Sequence, residues 1–304
     1  MTTGVGTAGT DGRVSPSATA LGLIADYVRL TKPRIIVLLL VTTAAAMFVA
    51  ADGRPNGWDL LWTMIGGYLA AAGANAINQF VDRDIDATMS RTTDRPVVSG
   101  RVSPAQALIF GLALGVGSAL LLGLLVNWLA AMLAMVGLLV YVGVYTIWLK
   151  RSTPHNIVIG GAAGAVPPLV GWAAATGSLS LEAWLLFAIV FFWTPPHFWA
   201  LALILSKDYA SVRVPMLPVV AGDAETRLQV VLWSLVMVGV SLLPVASGGL
   251  GGIYFGSAIA LDTVFVALAL AAWRESGLRY TRHTFKYSLL YLALLFLALV
   301  LDAL

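Results

Sequence analysis

The chain has 304 residues, of which 59% are hydrophobic and only 11% are charged, and this is more apolar surface than a soluble domain of that length buries in one core. It therefore has the composition of an integral membrane protein. The net charge of +3 requires no nucleic-acid partner, and the absence of cysteine excludes disulfides, thiolate metal sites and cysteine nucleophiles.

The first segment, residues 1–25, is rich in Gly, Thr, Ser and Ala, contains a single Arg and lacks an apolar signal core. It resembles neither a secretory signal nor an Arg-rich transit peptide, and it predicts a disordered tail. Residues 26–304 predict one transmembrane domain, because nine apolar runs are each long enough to cross a bilayer as a helix of about twenty residues. The predicted spans lie at 33–50, 57–79, 103–125, 127–147, 154–175, 181–205, 226–247, 250–272 and 284–303.

The basic residues predict the orientation of these spans. If the N-terminus is cytoplasmic, the alternating loops place 17 of the 18 Lys and Arg residues on the cytoplasmic side and leave only Arg54 outside. An excess of basic residues is typical of cytoplasmic loops. The predicted fold class is therefore an all-α polytopic membrane protein with nine transmembrane helices, its N-terminus cytoplasmic and its C-terminus outside.

The loop after the second span carries a concentrated set of acidic residues. If the second helix continues through it, Asn78, Asp82 and Asp86 fall at i, i+4 and i+8 on one face, and Asn75 lies one turn earlier. Two like carboxylates at this spacing repel each other by a few tenths of a kcal/mol, and a bound cation reverses the sign. Mg²⁺ commonly takes one or two carboxylates and leaves its other positions to water and phosphates. The face therefore predicts a magnesium site.

Two other interpretations of this loop remain open. The charges could form a solvated cytoplasmic surface, or the three alternating aspartates could belong to a calcium loop. The calcium loop lacks the required Gly at its sixth position, which is Ala87, and the Glu at its twelfth, which is Thr93. Basic residues near the loop favour a phosphate-bearing ligand instead, because carboxylates holding a metal beside a set of basic groups form such a site: Arg91, Arg95, Lys32 and Arg34.

The fifth and sixth spans each contain a double proline, Pro167-Pro168 and Pro195-Pro196. Proline removes a backbone donor, which is tolerated inside a membrane only where protein or a cavity satisfies the freed carbonyl. Together with the glycines of the fifth span, these breaks predict an intramembrane chamber. Close packing of helices through small residues is the alternative explanation for the glycines.

One histidine lies deep in the sixth span, directly after its proline pair. A titratable side chain at that depth suggests a functional role, so His197 is a candidate site residue. The alternative is a structural histidine that bonds to a carbonyl at the proline kink. The loop after this span adds Lys207 and Asp208 as a second, smaller charged cluster.

Several segments together resemble the UbiA-type intramembrane prenyltransferase superfamily. The run from Asn78-Gln79 through Asp82 and Asp86, with the following M-x-R-T-x-x-R-P, is similar to its first aspartate-rich motif. The NQ pair in place of the usual ND, and four further segments, resemble the haem O synthase branch: LTKPR, TPHNIVIGGAAGAVPPLVGW, TPPHFWALA and KDYASVRVPMLPVVAG. The resemblance covers roughly residues 28–290.

The resemblance implies nine helices around a central cavity in a bacterial plasma membrane, with the active site towards the cytoplasm. It implies Mg²⁺-dependent transfer of a farnesyl group from farnesyl diphosphate to a vinyl group of haem b, with addition of water, and possible contact with a downstream haem A synthase. By motif match, it assigns the metal and diphosphate roles to two sets of residues: Asn78, Asp82, Asp86 and Asp208 for the metal, and Arg91, Arg95, Lys32, Lys207 and Asp208 for the diphosphate.

Three further expectations accompany this assignment. His197 is a candidate axial ligand or orienting contact for the haem iron. Asp84 lies about 200° around the helix from Asp82 and is expected to pair with an arginine or water. Aromatic side chains, Phe80, Tyr141, Tyr145 and Trp193, are candidates for the lining of a dry cavity that faces the prenyl cation.

Two rival functions remain open from the sequence. One is a prenyltransferase of the same superfamily that acts on a quinone or another aromatic precursor. The other is a transporter, since broken helices and intramembrane polar groups also mark transport pathways. A transporter predicts ionisable groups near the bilayer midplane, whereas Asp262 is the only acidic residue that lies away from the ends of the predicted spans.

Overall fold

A computed structural model describes residues 20–304 of the chain. Residues 1–19 of the predicted tail lie outside this range, and residues 20–25 belong to the first helix. The helices are α1 (Ala20–Thr31), α2 (Pro33–Ala50), α3 (Gly57–Val81), α4 (Arg83–Asp86), α5 (Pro104–Leu125), α6 (Trp128–Leu139), α7 (Asn156–Thr176), α8 (Leu181–Ile204), α9 (Ser206–Ser211), α10 (Leu217–Val220), α11 (Gly222–Ser241), α12 (Leu243–Ala246), α13 (Gly252–Arg274) and α14 (Arg279–Ala303).

Nine of the described segments are long and apolar enough to cross a membrane, which confirms the all-α prediction of nine spans. Six spans begin and end within two residues of the predicted limits, namely those of α2, α3, α5, α7, α8 and α13. The larger differences occur where charges lie at helix ends. The fourth span reaches Arg151, the seventh begins at Gly222, and the ninth begins at Arg279.

The helices form one bundle in which neighbouring segments pack side by side. A closed series of contacts runs from α2 to α7, α8, α11, α13, α14 and back to α2. Beside it, α3 packs against α2 and α7, α6 packs against α7, and α5 packs against α3 and α6. The largest apolar cluster lies between α2, α7, α8, α13 and α14, and its largest fully buried members are Tyr254, Tyr291, Phe265 and Phe296. Next to this cluster, α2, α3 and α7 pack against one another.

The double prolines do not break their helices, so this part of the sequence prediction was wrong. Both α7 and α8 continue through their proline pairs. Just before the second pair, the Thr194 hydroxyl donates to the Val190 carbonyl at 2.8 Å, which is a local bond within the same turn. The irregular segment lies instead in the fourth span, where a π-helix covers Val140–Trp148 and a 3₁₀ turn follows at Leu149–Arg151.

Close packing explains one glycine of the fifth span. A Cβ at Gly171 would lie 2.1 Å from the carbonyl oxygen of Thr43, so only glycine permits this approach of α7 to α2. Gly164 differs, because a Cβ there would have no heavy atom within 4 Å. The structure thus supports helix packing at Gly171 and open space beside Gly164.

A buried arginine ties α11 to the turn between α13 and α14. Arg227 donates to the carbonyl oxygens of Ala272 at 3.0 Å and Gly277 at 2.6 Å, and also to that of Glu275. Because hydrogen bonds from a charged donor contribute about 1.5–3 kcal/mol each, we expect Arg227→Met to lower the free energy of unfolding by about 3 kcal/mol. Thermal unfolding in detergent measures this, with the exposed Arg274→Met as control. Equal melting temperatures for the two variants would contradict the assignment.

Candidate active site

The acidic loop keeps its helical spacing although α3 ends before it. Val81 is the last residue of α3, yet Asp82 N bonds to Asn78 O and Asp86 N bonds to Asp82 O, both at 2.9 Å. The helix is therefore interrupted at Asp82, but the helical spacing that places Asn78, Asp82 and Asp86 on one face is kept. Asn78, Asp82 and Asp86 are 4%, 0% and 1% exposed.

Asp84 lies on the opposite side of this turn, as expected. Its side chain is 60% exposed and accepts two hydrogen bonds of 2.7 Å from Arg151. These bonds lower the pKa of the Asp84 carboxyl to about 2. The prediction that Asp84 pairs with an arginine is confirmed, and the buried acidic pair is left to Asp82 and Asp86.

The buried Asp82 meets a lysine that the sequence did not single out. Lys150 Nζ donates to Asp82 Oδ2 at 2.5 Å, and Asn78 Nδ2 donates to the same oxygen at 2.7 Å. Lys150 comes from the 3₁₀ turn at the end of the fourth span. Its only signal in the sequence was that it ends an apolar run together with Arg151.

The π-helix brings a second polar group to the same place. Asn78 Nδ2 lies 3.2 Å from Thr146 Oγ1, and that hydroxyl donates to the Tyr141 carbonyl at 2.8 Å. Tyr141 and Tyr145, two of the predicted aromatic lining residues, lie in this segment with ring centroids 5.7 Å apart. A π-helical turn within an α-helix often occurs at a functional site.

The other carboxylate and the amide of the face also meet cations. Arg95 donates to Asp86 Oδ2 in a short ion pair, and Lys32 Nζ donates to Asn78 Oδ1 at 2.8 Å. Burial, followed by the charge of Arg95, lowers the pKa of Lys32 to about 7. The site is therefore a buried cluster of two carboxylates and three basic side chains.

One oxygen in this cluster has no hydrogen-bond partner. Asp82 Oδ1 is buried and accepts no hydrogen bond, although Arg151 Nη2 lies 3.6 Å from it. An unpaired buried carboxylate oxygen has the chemistry of a metal ligand. Within residues 20–304 no group of three or more His, Asp or Glu side chains converges on one point. The donors fit an ion that takes few protein ligands and leaves positions for water and phosphate, as Mg²⁺ does.

Lys32 is held in an unusual backbone conformation between α1 and α2. Its φ of 53° and ψ of 58° are left-handed, and the next residue is Pro33, which disfavours helical conformations in the residue before it. Such strain costs about 1–3 kcal/mol and persists only where surrounding contacts maintain it. The ammonium group is the part of Lys32 that reaches the site.

The loop after α8, which contains Asp208, contacts the acidic loop after α3. It does so through residues other than the buried Asp82 and Asp86. Asp208 accepts from Ser90 Oγ at 3.1 Å and faces Arg91 Nε at 3.8 Å. Arg91 also lies over the ring of the buried Tyr209 at 5.7 Å. Lys207 is exposed, with no hydrogen bond to the part of the chain that the structure describes. The structure thus places Asp208 and Arg91 together at the edge of the cluster.

His197 is buried in a stack of aromatic rings away from the acidic loop. Its ring centroid lies 4.3 Å from that of Trp193 and 5.1 Å from that of Phe285. Its Nδ1 lies 2.6 Å from Ser288 Oγ, and Trp193 Nε1 donates to the Ser288 carbonyl at 2.9 Å. The side chain bonds to a hydroxyl on α14, so the alternative of a bond to a kink carbonyl was wrong.

Phe80, the remaining aromatic candidate, serves another contact. Arg83 lies over its ring at 4.7 Å and donates to its carbonyl oxygen at 2.6 Å. Phe80 therefore stabilises the charged end of α3. The aromatic groups beside the cluster are those of the π-helix.

Nine spans within residues 20–304 and a buried acid–base cluster at the end of α3 are the features expected of an intramembrane prenyltransferase. The chain belongs to the UbiA prenyltransferase family, whose model matches residues 39–301. Among its relatives, a protoheme IX farnesyltransferase of Symbiobacterium thermophilum is 52% identical over 92% of this chain and 94% of the relative. Another, of Chloroflexus aurantiacus, is 57% identical over 93% of this chain and 48% of the relative. The chain spans about half the length of the relatives from Chloroflexus, Roseiflexus and Thermus.

Solved structures share the fold at low sequence identity. One, described with digeranylgeranylglyceryl phosphate synthase, matches with a TM-score of 0.76 at 18% identity over 92% of this chain and 98% of that chain. A UbiA homologue from Archaeoglobus fulgidus bound to GPP and Mg²⁺ matches with a TM-score of 0.67 at 16% identity over 90% and 99%. These matches confirm the predicted all-α fold.

Proposed function

We propose that the chain transfers a farnesyl group from farnesyl diphosphate to a vinyl group of haem b, with addition of water, to give haem O and diphosphate. The observation that carries this proposal is the cluster in which Lys150 pairs with Asp82, Arg95 pairs with Asp86, and Lys32 donates to Asn78. The name protoheme IX farnesyltransferase, borne by relatives that are 52–57% identical, supports haem b as the acceptor.

The reaction places separate demands on the two halves of the substrate. The allylic C–O bond breaks, and its electron pair leaves with the diphosphate. The terminal vinyl carbon forms a bond to C1 of the farnesyl group, water adds through its oxygen to the inner vinyl carbon, and one proton is released. The protein must therefore stabilise a polyanion on one side and keep a prenyl cation dry on the other.

Asn78, Asp82 and Asp86 are the proposed ligands of Mg²⁺, with Asp208 as a further ligand at the edge of the site. The unpaired, buried Oδ1 of Asp82 supports this assignment, and the Archaeoglobus fulgidus homologue was solved with GPP and Mg²⁺. When bound, Mg²⁺ supplies charge that offsets the negative charge developing on the diphosphate. The protein contributes by holding the ligand oxygens in fixed positions in a buried site.

The basic residues are the proposed diphosphate contacts. Arg95 and Lys32, assigned by motif, already lie in the cluster, and Arg91 lies at its edge beside Asp208. Lys150 joins this set on its contact with Asp82. These side chains would bind the phosphate oxygens of the substrate in place of their present carboxylate or amide partners. Lys207, which is exposed, is the outermost proposed contact.

His197 is the proposed haem contact, and its hydrogen bonds define which nitrogen is available. The Ser288 hydroxyl has one proton, and its oxygen lies 2.7 Å from the Phe285 carbonyl, which only accepts. Ser288 therefore donates to Phe285, and His197 Nδ1 must donate to Ser288. The lone pair then lies on Nε2, which has no hydrogen bond to any residue in the range 20–304. A neutral imidazole with an available Nε2 has the chemistry of an axial iron ligand.

The proposed location is a bacterial plasma membrane, with the N-terminus and the active site on the cytoplasmic side. The distribution of basic residues supports the orientation, since Lys32 precedes the first span, Arg95 follows the second and Lys150 ends the fourth, which places all three on one side of the membrane. A soluble diphosphate substrate and Mg²⁺ would reach the cluster from that side. Contact with a haem A synthase, which would receive the product, belongs to the same proposal.

A direct assay tests the proposed function. Purified protein incubated with haem b, farnesyl diphosphate and Mg²⁺ is expected to form a haem adduct that has gained a farnesyl group and one water, as detected by mass spectrometry. Omission of Mg²⁺, with chelator present, is expected to abolish the adduct. Prenylation of a quinone precursor with none of haem b would instead establish the alternative acceptor class.

A further inference from the structure

The end of α1 is anchored on α3 by side-chain amides. The last carbonyl groups of a helix have no partner within it. Asn75 Nδ2 donates to the carbonyl oxygen of Thr31 at 2.9 Å, and Gln79 Nε2 donates to that of Leu30 at 3.1 Å. Both amides are buried, and the residue that follows this anchored turn is Lys32. The anchor therefore fixes the backbone from which Lys32 reaches the active site.

The side chain of Lys32 returns to the same face of α3. Asn75, Asn78 and Gln79 are spaced i, i+3 and i+4, so their amides lie on one helical face. Asn78 Oδ1 accepts from Lys32 Nζ at 2.8 Å, while the other two amides donate to the backbone just before it. One face of α3 thus contacts both the side chain of Lys32 and the backbone directly before it.

This arrangement carries two energetic costs. Gln79 Oε1 is buried and has no hydrogen-bond partner, and an unsatisfied buried acceptor costs about 1–3 kcal/mol. Lys32 is strained in its left-handed conformation before Pro33. A leucine at position 79 would avoid the first cost but could not donate to α1. Both energetic costs therefore occur at the contact between α3 and the backbone at Lys32.

The chemistry at position 79 is also specific for an amide. Its Nε2 faces two carbonyl oxygens, those of Arg29 at 3.3 Å and Leu30 at 3.1 Å, so the group must donate. A carboxylate there would place its lone pairs against the negative end of the α1 dipole, which is repulsive. This accounts for glutamine where the related aspartate-rich motif usually has an acidic residue.

We propose that Gln79 and Asn75 are positioning residues, which act through the backbone of α1 to hold the Lys32 ammonium where it binds the diphosphate of the prenyl substrate. The inference rests on the proposed function and deepens it, because it assigns a role to the second residue of the NQ pair. The competing explanation is that the two amides only cap α1. If the amides only cap α1, their removal lowers the stability of the protein. Any effect of that removal on ligand binding is then the same whether or not the Lys32 ammonium is present.

A double-mutant cycle separates the two explanations, because coupled residues give non-additive effects. The variants are Gln79→Met, which keeps the length of the side chain but removes its donor, Lys32→Met, and the combination. The measured quantity is the Kd of inorganic pyrophosphate in the presence of Mg²⁺, by calorimetry on the full chain in detergent. We expect Gln79→Met to weaken binding about tenfold, the effect of one charge-assisted hydrogen bond. In the Lys32→Met background we expect a change smaller than about twofold.

A second amide provides a matched control. Asn127 Nδ2 donates to the carbonyl of Ala173 at 2.8 Å near the end of α7, at the opposite end of the bundle. Its Oδ1 also caps α6, and Asn127→Ser removes the donor while keeping a capping oxygen. This variant is expected to lower the melting temperature and leave the pyrophosphate Kd unchanged.

The outcomes are distinct. An equal loss of affinity from Gln79→Met in both backgrounds, or no loss in either, would overturn the inference while leaving the proposed function standing. Absence of pyrophosphate binding by the folded wild-type protein would overturn the proposed diphosphate site and the inference with it. If Gln79→Met does not fold, Asn75→Leu carries the same cycle, since Asn75 binds the carbonyl directly before Lys32.

Discussion

The Asp82→Asn variant is expected to lose at least about 100-fold, and on the order of 1,000-fold, of its haem-prenylation rate. Asparagine keeps the size of the side chain but removes the charge, and Asp82 is fully buried with one unpaired oxygen. The loss of this charge is expected to weaken Mg²⁺ binding, and with it the stabilisation of the negative charge that develops on the leaving diphosphate. The measurement is the initial rate of adduct formation at saturating substrates, with binding of Mg²⁺–pyrophosphate by calorimetry as a second readout.

Asp84→Asn is the matched control for this prediction. It is the same substitution two positions away, on a side chain that is 60% exposed and paired with Arg151. We expect its rate to stay within about twofold of the wild-type rate, because exposed ion pairs contribute little. Equal losses in the two variants would contradict a special role for the buried carboxylate and would favour the general charge of the loop.

Folding is controlled separately, because removal of one partner of a buried ion pair is destabilising by about 3–5 kcal/mol. Asp82→Asn leaves Lys150 Nζ beside a neutral group, so its melting temperature is expected to fall. Adding Lys150→Met removes the second charge and is expected to restore part of the stability. Activity is expected to stay lost in the double variant. Recovery of activity together with stability would show that Asp82 serves only the fold.

The sequence predicted the bundle well because its signals are local. An apolar run of the right length, ended by charged residues, determines a span without reference to other parts of the chain. The buried face of Asn78, Asp82 and Asp86 was predictable for the same reason, since helical spacing survives the end of α3 at Val81. The exposed Asp84 and its arginine partner follow from the same geometry.

The partners of this face were not predictable, because they depend on how distant helices pack. Lys150 lies 68 positions from Asp82 in the chain and meets it only when the fourth span packs against α3. The π-helix that brings Thr146 to Asn78 has no signal in the apolar pattern of that span. The amide anchor of α1 depends in the same way on contacts across more than forty positions.

The proline pairs show the limit of a local rule. Proline does free carbonyl groups, but α7 and α8 are packed on both sides, and the helices continue through the pairs. Irregular backbone occurs instead in the fourth span, next to the charged cluster. One polar group of the cluster, Asn78, donates to the Thr146 hydroxyl of this segment, and that hydroxyl donates to the Tyr141 carbonyl.

Replacement of His197 by phenylalanine is expected to weaken the binding of haem b by about 10- to 100-fold, because it removes the Nε2 lone pair. Phenylalanine preserves an aromatic ring between Trp193 and Phe285, and Ser288 still donates to the Phe285 carbonyl, so the stack is expected to remain folded. Titration with haem b, followed by its Soret absorption, measures both affinity and iron ligation.

The control for this variant is His283→Phe, which changes an exposed histidine of the same chain. It is expected to leave the haem spectrum and affinity unchanged. Binding of Mg²⁺–pyrophosphate is expected to be normal in both variants, because His197 contacts aromatic rings and Ser288 and none of the charged side chains of the cluster. His197→Phe protein with wild-type haem affinity, spectrum and turnover would rule out the axial contact. A loss of pyrophosphate binding alongside the loss of haem would instead assign His197 to the packing of the whole bundle.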